Sequence, residues 1–162
     1  MTLRERRGLV ELSDAVRNST TKRLLLVPED AENWRPTPRL MSFADLAQHL
    51  IDADEWLFKK LEVKDLQPMQ GVPGLALVRS HDEYLRVVAR LNHSGEARSA
   101  LIASLPDDVW NDEIPDDRFG GNVSVWWILM RGNLDHEIHT RGQIALYLTL
   151  YNECPSFGCR GV

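Results

Sequence analysis

Apolar residues recur at three- and four-residue steps over four stretches of the chain, the period of an amphipathic helix, whereas the alternation expected of strands is scarce. The first stretch, residues 2 to 27, sets Leu9, Leu12, Val16, Thr20 and Leu24 on one face, and Pro28 with the polar run to Pro38 ends it. A second helix is predicted from about Ser42 to Leu61: Ser42 with Asp45 three positions on reads as an N-cap, and Phe43, Leu46, Leu50, Ala53 and Leu57 follow at helical spacing. Pro68, Gly71, Pro73 and Gly74 break both periods between residues 62 and 79, which predicts a long crossing connection. Ser80-His81-Asp82-Glu83 reads as a full capping box before Leu85, Val88, Leu91, Ala97, Leu101 and Leu105, and Pro106 closes that third helix.

Between 107 and 122 the chain carries Asp107, Asp108, Asp112, Glu113, Asp116 and Asp117 with Pro115 and Gly120-Gly121, and reads as a solvated loop pinned by Trp110 and Phe119. The helical period returns from about Val123 to Asn152 through Val125, Leu129, Ile144, Tyr147 and Leu150. Four such helices, with one short and two longer connections and no internal repeat, predict an all-α four-helix bundle occupying residues 1–162 as a single domain.

Composition narrows the function classes. A chain of 162 residues with 43% hydrophobic and 27% charged residues is ordinary for one globular domain. Its net charge of −5 gives no basic field for a phosphate backbone, so no nucleic-acid partner is expected. The longest apolar run, Leu24 to Val27, is far too short for a membrane span, and the first residues do not read as a secretory signal, so a cytoplasmic address is expected. Cys154 and Cys159 are too few for a disulfide scaffold or a four-cysteine zinc site and read as reduced thiols, or as a local redox pair.

The candidate chemistry lies in the histidines. His49 follows Leu46 by three and falls on the flank of the buried face of the second helix; His136 follows Leu129 by seven and falls on the inward stripe of the last. Each alone reads as a core histidine with a hydrogen-bond partner. Two on facing helices point instead to a shared site, because inward polar groups are costly unless paired or ligated. His81 and His93 read as solvent-facing, and no Gly-x-Ser-x-Gly elbow or phosphate cradle is present.

The segment Asp135-His136-Glu137-Ile138-His139-Thr140-Arg141-Gly142-Gln143 resembles the His-x-x-x-His-Arg-Gly-Gln signature of the DinB/YfiT-like metalloenzyme superfamily. Trp34-Arg35-Pro36 and the run Ser42 to His49 resemble the same family's Trp-x-Pro and Ser-x-x-x-Leu-x-x-His, so the resemblance covers the chain from the first helix to about Leu150. It implies a four-helix bundle in which the helix-two histidine and two residues four apart on helix four hold a divalent metal, nickel or zinc. His49 and His136 fill two of those positions, and the third falls on Thr140, a neutral hydroxyl that ligates poorly beside imidazole. His139 is the substitute third ligand, and it needs a distorted helix to turn inward, since neighbouring positions lie about 100° apart. Gly132 marks either such an irregularity or, more simply, a close helix contact.

Around the metal positions, Glu137 or His139 is the candidate proton carrier, and Glu137 and Asp135 are further candidates as ligand or acid/base; both carboxylates read more simply as surface or ligand-orienting groups, with Glu137 able to pair Arg141 at helical spacing. Arg141 and Gln143 are expected to support the ligands, and Tyr147 to lie in the core. The resemblance implies a metal-activated thiol or water attacking a small electrophile, as in thiol transferases and hydrolases of the family, with a low-molecular-weight thiol as a possible cosubstrate. The alternative is a bundle that has lost its metal and acts as a binding or dimerisation module. A homodimer is expected from the family habit and from the aromatic surplus at Trp56, Trp126 and Trp127.

Overall fold

The computed structural model describes residues 2–64, 66–67 and 70–153, so Cys154 and Cys159 lie outside the described residues. The chain is mostly helical, as the periodicity predicts. Helix α1 spans Leu3–Leu24, α2 Phe43–Glu62 and α3 His81–Ser104. A last rod begins as α4, Val125–Trp127, passes through a π-helical stretch Ile128–Leu134, and runs on as α5, Asp135–Glu153. Helix α1 packs on α3 and α5, and α2 packs on the same two, so the four long helices close a ring with α1 and α2 on a diagonal. That order needs the long connections at 25–42 and 63–80. Among the described residues no helix is long and apolar enough to cross a membrane.

Local chemistry explains the helix starts. Thr2 with Glu5, and Ser42 with Asp45, form reciprocal capping boxes that satisfy the first free backbone N–H groups of α1 and α2. The box expected at Ser80 is only half made: Ser80 accepts the Glu83 N–H, but the Glu83 carboxylate turns to the Arg79 N–H. Asp45 also accepts N–H bonds from Gly74 and Ala76 at 2.8 and 2.9 Å, which staples the second long connection onto α2.

The segment predicted as a solvated loop is structured. Glu113–Asp116 (β1) pairs antiparallel with Gly121–Ser124 (β2), Asp116 opposite Gly121, and glycines at positive φ (Gly120 at 77°, Gly121 at 151°) make the reversal. Ile114 and Asp116 are buried while Glu113 and Pro115 face water, so the strand alternates although it reads as acidic. Trp110 is buried as the expected pin, whereas Phe119 is partly exposed and meets Trp127 edge-on. Lys60 on α2 donates to the carbonyls of Pro115 and Leu66, which ties the hairpin down.

The buried stripes also differ from the sequence reading. Leu12 (39% exposed) and Leu85 (36%) lie outside the core, and the inward positions of α1 and α3 include Ser13, Arg17 and Arg98. Two apolar clusters result. One gathers Leu24, Trp34, Phe43, Tyr84, Leu91 and Tyr147; the other gathers Leu9, Leu57, Ile102, Trp110, Ile114 and Ile128. Along every long helix the sequence passes from one cluster to the other through polar side chains, so a charged layer divides the core.

Candidate functional site

That layer consists of Arg17 from α1, Asp54 from α2, Arg98 from α3 and Glu137 from α5, all at most 4% exposed at the side chain. Arg17 contacts Asp54 at 2.7 Å and Glu137 at 2.9 Å, and Arg98 contacts Glu137 at 2.6 Å and Asp54 at 3.1 Å. Asn133 accepts from Arg98 and donates to Asp54 and to the Ala53 carbonyl, while Ser13 and Ser94 complete the shell. Two cations balance two anions, each hydrogen-bonded from several sides, which is the condition for burying charge at all. Gly95 makes room for this: a Cβ there would stand 2.7 Å from Arg17 Cγ.

Glu137 therefore serves the layer. Both its carboxylate oxygens are taken by guanidiniums. Burial raises its pKa, and the charges of Arg98 and Arg17 more than offset that, so it stays ionised below the usual carboxylate range. The expected pairing with Arg141 is replaced by Arg17 and Arg98. Asp135 is turned outward onto Arg131 at 2.7 Å.

Beside this layer the two histidines meet. His49 on α2 and His136 on α5 bring their Nε2 atoms to 3.0 Å, with the rings nearly perpendicular at 87°. The charged layer sets this approach, because Asp54 follows His49 by five residues and Asn133 and Glu137 bracket His136. Burial pushes both imidazoles toward the neutral form; His136, also facing His49, His139 and Arg118, is lowered to about 4 although Glu137 opposes the shift. Either an N–H···N bond or one ion shared at about 2.0–2.1 Å from each nitrogen suits that separation.

The pair borders a cavity of ~160 Å³ lined by His49, Ala53, Trp56, Gly71, Arg118, Gly132 and His136. Trp56, which the sequence offers first as core or interface area and only second as a pocket wall, is a wall here, and sequence reasoning missed Arg118 altogether. Arg118 comes from the hairpin turn, its guanidinium 4.4 Å from the centre of the Trp56 ring and bound by Asp116. Gly132 lies within the π-helical stretch, so it does mark an irregularity, and the group closest to it is the Arg118 guanidinium. The extra residue in that π turn brings Glu137 onto the inward stripe with Thr140, Ile144 and Tyr147 and leaves His136 half-buried at its edge.

Thr140 is buried, 1% exposed, on the inward stripe, one turn after His136. His139 faces out, its Nε2 3.3 Å from Gln143 Nε2, and does not join the pair. Among the described residues no cluster of three or more His, Cys, Asp or Glu side chains is arranged to hold a metal ion. The donor set thus fits two ligand positions and not a three-imidazole centre. His81, expected in solvent, bonds buried Glu32 at 2.6 Å, while His93 is exposed.

A family model described as the DinB superfamily matches residues 13–144, which is most of the chain and takes in both histidines and the whole charged layer. No curated protein matches the chain.

Proposed function

This chain belongs to the DinB superfamily, and on that premise we propose that the cavity at His49 and His136 is the working site of a small-molecule enzyme of the thiol-transferase or hydrolase type. The observation that carries the reading is the 3.0 Å convergence of two neutral imidazole nitrogens at the wall of a cavity. A nickel or zinc ion, when bound, would lower the pKa of a water or low-molecular-weight thiol. This chain's own part is to keep both rings neutral by burial, so that each has a nitrogen lone pair to offer rather than an imidazolium. Trp56 and Ala53 supply an apolar wall for a small electrophile. A thiol cosubstrate places the work in a reducing compartment such as the cytoplasm.

With Thr140 in the third position, the ion is held weakly and exchanges readily. The buried Thr140 hydroxyl also favours a second reading, in which the bundle has lost the metal and serves as a binding or dimerisation module. Calorimetric titration of zinc and of nickel into wild type and His49→Ala separates them. Weak binding that His49→Ala abolishes supports the enzyme reading; no heat from either ion supports the module.

A further inference from the structure

The histidine cavity contains a cation that the pair itself does not account for. Arg118 is held in place before any ligand arrives: its Nε and Nη2 donate to the two oxygens of Asp116 at 2.9 and 2.7 Å, and its plane lies over Trp56. A guanidinium carries five N–H donors, and Asp116 takes two. Among the described residues the others meet no acceptor, and the side chain, 31% exposed, lines the cavity. Arg17 and Arg98, in contrast, spend their N–H groups inside the charged layer.

The space beside Arg118 is made by two glycines. A Cβ on Gly132 would stand 3.1 Å from Arg118 Nη2, and one on Gly71 would stand 3.2 Å from His49 Cε1. Any side chain at either position would crowd the guanidinium or the imidazole. The remaining walls, Ala53 and Trp56, are apolar. An open guanidinium edge, an apolar wall and a reactive pair of imidazoles in ~160 Å³ define a ligand with one anionic end and a short hydrocarbon body.

We infer that the cavity recognises a short-chain monocarboxylate, its carboxylate on Arg118 and its acyl chain against Trp56 and Ala53, beside His49 and His136. This rests on the reading of the histidine cavity as the working site and names the class of compound it takes. Arg118 acts as the specificity-determining residue. Asp116 already balances its charge, so selectivity comes from the direction of the free N–H groups rather than from net attraction.

The test follows the imidazole resonances of the full chain by NMR during titration with butyrate and, separately, with butyramide, its neutral isostere. Saturable shifts at His49 and His136 are expected with butyrate, at least about tenfold weaker with butyramide, and at least about tenfold weaker for butyrate in Arg118→Gln. Gly132→Ala, which leaves the guanidinium in place but crowds it, is expected to weaken butyrate as well. Equal affinity for the two compounds, or butyrate binding unchanged in Arg118→Gln, overturns the inference and leaves the histidine cavity as the site. Absence of any shift with either compound also overturns it, and the zinc and nickel titrations then decide the underlying reading independently.

Discussion

His49 and His136 are 87 positions apart in the chain, yet their Nε2 atoms stand 3.0 Å apart. Helices α2 and α5 carry them there, and the contacts of Asp54 with Asn133, Arg17 and Arg98 one turn along fix the register of the two helices.

Burial of this pair makes stability depend on pH in a defined window. In the unfolded chain each histidine takes up a proton near 6.5, whereas in the folded chain His136 does so only near 4. Between those values the unfolded state binds more protons, so the contribution is fully present above about pH 6.5 and is lost as pH falls toward 4. The lowered carboxyls of Asp45, Asp116 and Glu137 act with the same sign at still lower pH. Thermal unfolding should fall across the histidine window in wild type and fall less in His136→Gln; parallel curves for the two proteins would contradict this.

The charged layer should be the costliest place to remove a single group. Glu137→Ala leaves two buried guanidiniums short of a counter-ion, and the expected loss is about 3–5 kcal/mol in urea unfolding. Glu11→Ala, which removes an exposed partner of Arg7, should change stability by less than about 0.5 kcal/mol. Comparable losses for the two variants would show that the layer is solvated.

Asp45 links a helix start to a distant connection. Burial raises its pKa, but N–H bonds from Ser42, Ala76 and Gly74 bring it below its ordinary value. Asp45→Ala is expected to lower stability by about 2–4 kcal/mol and to speed amide exchange at Gly74 and Ala76. Unchanged protection of those two amides would mean that the connection is held by other contacts.

How far the sequence spoke depends on which kind of residue carried the signal. Helix existence was legible because apolar spacing is local, and the histidine pair was legible because each ring sits near a readable stripe. The charged layer was not, since Arg17, Asp54 and Arg98 look like flank residues until all four helices are assembled around them. The phase of α5 was lost for a specific reason: one π turn between Ile128 and Leu134 shifts every later position, so Glu137 is buried and His136 only half-buried, where a uniform helix counted from Leu129 centres the stripe on His136. Asp116 and its acidic neighbours hid the hairpin, because alternating burial over four residues is too short a pattern to outweigh their charge.

Trp126 and Trp127 remain 41% and 36% exposed, and Trp126 with Leu12 lines a groove of ~470 Å³ beside Trp110. The homodimer expected from the sequence would cover this patch. Light scattering at micromolar concentration is expected to give twice 18.5 kDa, and the double variant Trp126→Glu, Trp127→Glu to give a monomer. A monomeric wild type would contradict the expectation.

Whether the His49 and His136 imidazoles and the Thr140 hydroxyl make a weak metal site is decided by zinc titrations in a calorimeter on wild type, Thr140→His and His139→Ala. Wild type is expected to bind weakly and lose the ion on dialysis, Thr140→His to bind far more tightly, and His139→Ala to match wild type. A wild type that retains one ion per chain through dialysis, and loses it on His139→Ala, would contradict the account and make His139 the third ligand.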